Sequence, residues 1–80
     1  MGRRYPPLKR VQIESILTKL NFAPKKTRGS HTQWEGYTKG KRRIVTVKKL
    51  KKDTEIYGPE LMGRMIRQSG LTKSQFYSYL

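Results

Sequence analysis

The chain has no cysteine and a single histidine among its 80 residues. Disulfide staples, thiolate metal sites, zinc fingers and zinc ribbons are therefore excluded. Acids are scarce too. Glu14, Glu35, Asp53, Glu55 and Glu60 are the five, and none form a D-x-D or E-x-x-H spacing. A Mg²⁺-dependent nuclease needs clustered carboxylates, so no metal or other cofactor is expected. The segment from Gly36 to Lys41 has too few glycines for a phosphate-cradling loop. No apolar run approaches the ~20 residues that span a bilayer, and no membrane association is predicted. Arg3 and Arg4 are followed by no apolar stretch, unlike the start of a secretory signal, so a cytoplasmic protein is the expectation.

Positive charge is abundant. Nineteen Lys and Arg residues against five acids give a net charge of +14. Eleven of the nineteen lie between residues 25 and 52, where Glu35 is the only acid. So lopsided a balance opposes compaction by self-repulsion and points to a polyanionic partner. RNA, DNA and anionic membranes are all polyanions; of these a nucleic acid, and no membrane, is the expected partner, and its binding would weaken steeply with salt.

Hydrophobic residues make up 34% of the chain, enough for one modest core and one domain. Residues 1–7 are predicted to be a basic, flexible arm, and 8–80 the folded domain. Ile13, Ile16, Leu17 and Leu20 share one face of a helix over Leu8 to Leu20, with Leu8 and Val11 extending its apolar edge. Asn21 is a plausible stop. Phe22 to Arg28 is strand-like, and Gly29 breaks it. Ser30 to Glu35 follows as a second strand, with Trp34 facing the core and His31, Gln33 and Glu35 facing away. Gly36 to Gly40 has turn chemistry. Arg43 to Val47 is β-branched and makes a third strand, with Val45 and Val47 turned inward.

After a basic loop over Lys48 to Asp53, Gly58-Pro59-Glu60 opens a second helix. Leu61, Met62, Met65 and Ile66 form its stripe, and Gly70 is suited to its end. Thr72 and Gln75 make a capping box, and Leu71 with Phe76 a hydrophobic staple. Phe76, Tyr79 and Leu80 are expected to be the buried edge of the last short helix. The expected fold is α+β: a three-stranded antiparallel sheet with helices on one face and the other face open.

The chemistry concentrates at Lys26-Thr27-Arg28-Gly29-Ser30-His31. RNA carries its own nucleophile, the 2′-hydroxyl. Cleavage needs a base, positive charge at the phosphate, and a proton for the leaving oxygen. Histidine is the side chain suited to proton transfer near neutral pH, so His31 is the candidate base. Arg28, Lys26 and the amides around Gly29 are candidates to stabilise the phosphorane. Lys25, Lys41, Arg42, Arg43, Lys48 and Lys49 are further candidates for phosphate contact. Among Trp34, Tyr37, Tyr5 and Tyr57, Tyr37 is the best placed to stack on a base, since Trp34 is needed by the core.

These residues resemble the HicA (YcfA-like) family of toxin mRNA interferases. The likeness runs from about Leu8 to Leu80 in four stretches. Ile16 to Phe22 is similar to the family's first helix and the step after it, with Asn21 where glycine is usual. Arg28-Gly29-Ser30-His31 matches its most specific motif, and Ile44 to Val47 its third strand. Met65 to Leu71, followed by Phe76, matches its terminal segment.

The resemblance implies a double-stranded-RNA-binding-domain-like fold, α-β-β-β-α, and metal-independent endoribonuclease cleavage of mRNA. It also implies growth arrest as a toxin and neutralisation by a HicB-like antitoxin, which would be acidic to cover a +14 surface. It assigns catalysis to His31, with Gly29 and Ser30 completing the motif. One departure is Lys48-Lys49, which stand where many members have proline and a second histidine. A second histidine is thus unavailable as general acid. The alternative is a non-catalytic RNA-binding module of the same fold; a DNA-binding reading is weaker, because the last two helices carry stripes the core needs.

Overall fold

The computed structural model describes residues 5–80. The elements run α1 (Arg10–Lys19), β1 (Ala23–Arg28), β2 (His31–Thr38), β3 (Lys41–Lys48), α2 (Pro59–Ser69) and α3 (Lys73–Tyr77). The strands form one antiparallel sheet in the order β1-β2-β3, packed against α2. The α+β class and the α-β-β-β-α order are those expected, with α3 appended.

Helix α1 starts two residues later than its periodicity predicts. Leu8 is buried but extended, because its carbonyl accepts from the Tyr57 amide at 2.9 Å and Lys9 bridges to Ile56. The Gln12 side chain then accepts from the Lys9 amide at 2.9 Å and starts the helix. Ile13, Ile16 and Leu17 are fully buried. Val11 is not part of this face: it is 64% exposed, since two helical positions before Ile13 is nearly half a turn away. At the other end Asn21 adopts φ 66°. Its amide donates to the Thr18 carbonyl at 3.0 Å and the Phe22 amide to that of Leu17 at 2.8 Å. This is a Schellman closure with asparagine at the left-handed position.

Both hairpins turn in two residues. Arg28 pairs with His31 around Gly29-Ser30, and Gly29 has φ 60°. A first central glycine with positive φ is the type II′ arrangement. Thr38 pairs with Lys41 around Lys39-Gly40, where both φ values are positive (52° and 76°), as type I′ requires. The second turn is therefore tighter than the Gly36–Gly40 segment suggested by composition. Gly36 lies within β2, and the Phe22 ring covers it: a Cβ there would sit 2.4 Å from Phe22 Cδ1.

Trp34, Val45 and Val47 line the inner sheet face as expected, meeting Met62, Met65, Ile66 and Phe76. Gly70 ends α2 in the left-handed conformation, and the Thr72–Gln75 capping box starts α3. Tyr79 and Leu80 are 40% and 52% exposed, contrary to expectation, because α3 ends at Tyr77 before they can turn inward. Of the segment read as an arm, residues 1–4 lie outside the described residues. Tyr5 packs on Tyr77 with ring centroids 5.1 Å apart, and the Tyr77 hydroxyl donates to the Pro6 carbonyl at 2.6 Å.

Candidate nucleic-acid interface

The open face of the sheet follows from strand register. His31, Gln33, Glu35 and Tyr37 alternate with the inward Trp34 and Thr38 along β2. His31 pairs with Arg28 on one side and Lys48 on the other. One imidazole is thus flanked by two cationic side chains in a row across all three strands. The next row is Lys26, Gln33 and Thr46. Lys26, Arg28, His31, Gln33 and Thr46 together line a groove of about 440 Å³.

Two contacts hold the Lys48 end of this row. The Lys49 amide donates to the Ser30 carbonyl, tying the end of β3 to the β1–β2 turn. The Tyr57 hydroxyl donates to the Lys48 carbonyl at 2.6 Å. Tyr57 is fully buried, so it is no base-stacking residue; burial pushes its phenol up to about 12. Farther along, Gln68 of α2 accepts from the Thr46 amide at 2.9 Å, which covers part of the free β3 edge. Ser30 Oγ lies 3.5 Å from His31 Nδ1, at the limit of a hydrogen bond.

The eight basic residues singled out in the sequence divide by position. Lys26, Arg28 and Lys48 share the His31 face. Arg42 is on that face too, but its Nε donates to Glu35 at 2.6 Å. That bond, with the Coulomb attraction, holds the Glu35 carboxyl below its ordinary range. Lys25 occupies a bulge in β1, and its charge also acts on Glu35. Lys41 and Arg43 alternate onto the helix-side face, where the Arg43 guanidinium lies against Gly70. Lys49 follows β3.

Gln33 and Thr46 complete the groove and were missed. The alternation counted from His31 contains Gln33, but Thr46 needs the β2–β3 register. Tyr37 lies on β2, not in the turn, and is 68% exposed. Tyr5 has Lys73 over its ring at 5.5 Å and Tyr77 against it. Among the described residues, no three His, Asp or Glu side chains come together as a metal site. No described helix is long and apolar enough to cross a membrane. No family model, curated protein or solved structure matches the chain.

Proposed function

We propose that the protein is a metal-independent endoribonuclease acting on mRNA, a toxin of the HicA type held in check by an acidic HicB-like antitoxin. The observation that supports this reading best is the Arg28–His31–Lys48 row on an open sheet face, beside a groove also lined by Lys26. An exposed imidazole flanked in register by two cationic residues is suited to phosphodiester transesterification. His31 takes the proton of the 2′-hydroxyl. The 2′-oxygen attacks phosphorus, the bond to the 5′-oxygen breaks, and a 2′,3′-cyclic phosphate and a 5′-hydroxyl result. Arg28, Lys26 and Lys48 stabilise the charge that builds on the phosphorane oxygens. The leaving oxygen takes its proton from Lys48, Lys49 or water. The four-part sequence likeness supports the toxin assignment, and the +14 charge supports an acidic partner.

One observation favours a second reading. His31 is oriented only loosely, by a hydroxyl at 3.5 Å. A module that binds RNA without cutting it needs the basic face and not a positioned imidazole. Labelled RNA incubated in EDTA with wild type and His31→Ala separates the two. The ribonuclease reading expects cleavage by wild type alone, with RNA binding kept in the variant. Binding without cleavage by either protein would establish the second reading instead.

A further inference from the structure

We infer that the open sheet face carries single-stranded RNA along β2, with one base stacked on Tyr37 at the end opposite His31. The inference rests on the ribonuclease reading in one respect: it takes the His31 end as the end that meets the scissile phosphate.

His31 and Tyr37 are both on the outer side of β2, six residues apart. At the rise of an antiparallel strand that separates them by about 20 Å. The face between them changes character in steps. At the His31 end, the paired rows of Arg28 and Lys48, then Lys26, supply net positive charge. In the middle, Gln33 and Thr46 are uncharged, and Glu35 is neutralised by Arg42. At the far end Tyr37 is 68% exposed and pairs with Arg42. Unpaired positive charge is therefore densest at the His31 end, while the Arg42 charge at the far end is shared with Glu35. The far end offers an aromatic face and, beside it, a guanidinium. A Tyr ring stacks on any base that presents its π-face, and bases in a continuous duplex do not. The arrangement fits a single strand of about four or more nucleotides, the lower range of such sites.

A surface tyrosine on a strand has another role available, which is packing against its cross-strand neighbour. The two roles differ in what they predict. Stacking on RNA makes affinity depend on oligonucleotide length through Tyr37, and packing alone moves only stability.

The test measures binding of single-stranded oligoribonucleotides from two to eight nucleotides, and of a blunt duplex, by fluorescence anisotropy. Wild type, Tyr37→Phe and Tyr37→Ala are compared, with cleavage followed in parallel. Wild type is expected to gain about tenfold in affinity as the strand grows long enough to reach Tyr37. Tyr37→Phe should keep that step and Tyr37→Ala should lose it, while the duplex should not distinguish the three. A length step that survives in Tyr37→Ala, or an equal loss on the duplex, overturns the inference. Cleavage without a Tyr37-dependent step would sink the stacking subsite alone. A Tyr37-dependent step without cleavage would leave the subsite standing and strike the ribonuclease reading. Failure of wild type to bind any of the RNAs would overturn both.

Discussion

Arg28 and His31 are direct register partners across the Gly29-Ser30 turn, so the two side chains leave the same face of the sheet side by side. Lys48 pairs with His31 on the opposite strand. In the ribonuclease reading the three have separable tasks. His31→Ala removes the base and is expected to slow single-turnover cleavage by about 10²–10⁴-fold with little change in RNA affinity. Arg28→Ala removes both a phosphate contact and stabilisation of the developing charge. It should therefore lower the rate by about 10²-fold and weaken binding as well. An Arg28→Ala protein that cleaves at the wild-type rate would contradict that assignment.

The sheet divides the basic residues into two groups that sequence alone treats alike. Lys26 and Arg28 face the groove, and Lys41 and Arg43 face the helix side. Each phosphate contact on a single strand contributes about 0.7 to the slope of log affinity against log salt. Lys26→Ala and Arg28→Ala should each reduce the slope by about that amount. Lys41→Ala should leave it nearly unchanged. Titrations over a range of salt concentrations decide this, and equal slopes for Lys26→Ala and Lys41→Ala would mean that the partition by face is wrong.

Tyr57 links stability to pH. Its phenol is buried, donates to the Lys48 carbonyl, and is raised from 10.0 to about 12, chiefly by desolvation. The native state therefore holds this proton more tightly than the unfolded chain. Its contribution to stability is complete below pH 10 and is lost as pH rises from about 10 to about 12. Tyr57→Phe should lower stability at neutral pH by about 0.5–1.5 kcal/mol. It should also flatten the fall in stability over that alkaline window relative to wild type. Denaturant melts from pH 8 to 11.5 measure both; an unchanged alkaline slope in Tyr57→Phe would show that another group is responsible.

Local signals made much of the fold legible. The Ile13, Ile16, Leu17 stripe, the Thr72–Gln75 box and the glycine at 70 each act within a few residues, and each has its expected place. The face of His31 was legible too, because Trp34 fixes the alternation of β2. What the sequence did not disclose depends on partners far along the chain. Leu8 leaves the helix because Tyr57, 49 positions later, takes its carbonyl. Arg43 lies against Gly70 because β3 alternates from Val45, and composition alone had grouped it with the other cations. Thr46 joins the groove through register with Gln33, which no local pattern encodes.

Lys39 is a non-glycine residue with φ 52° at the first central position of the β2–β3 turn. Lysine gains nothing there to offset left-handed strain, whereas asparagine tolerates it and Asn-Gly is the favoured type I′ pair. Lys39→Asn should raise stability by about 0.5–1 kcal/mol. Thermal melts at matched salt check it. A destabilised variant would argue that the Lys39 side chain makes a compensating contact.

Gly36 and Phe22 give the sharpest test of packing. The ring of Phe22, 4% exposed, occupies the space a side chain at position 36 would need. The three nearest atoms, at 2.4 to 2.7 Å, all belong to that ring. Relief therefore requires moving Phe22, which follows the Schellman closure of α1 and has little freedom to shift. Gly36→Ala should cost about 1–3 kcal/mol by overpacking. Phe22→Ala, which removes all three of those atoms, should also destabilise, by about 3–5 kcal/mol from lost buried contact. Because one clash causes the first effect, the double variant should be less destabilised than the sum of the two, with a coupling of at least ~0.5 kcal/mol. Additive effects in urea unfolding would mean that the cost at Gly36 arises elsewhere, in the strand backbone and not in the ring above it.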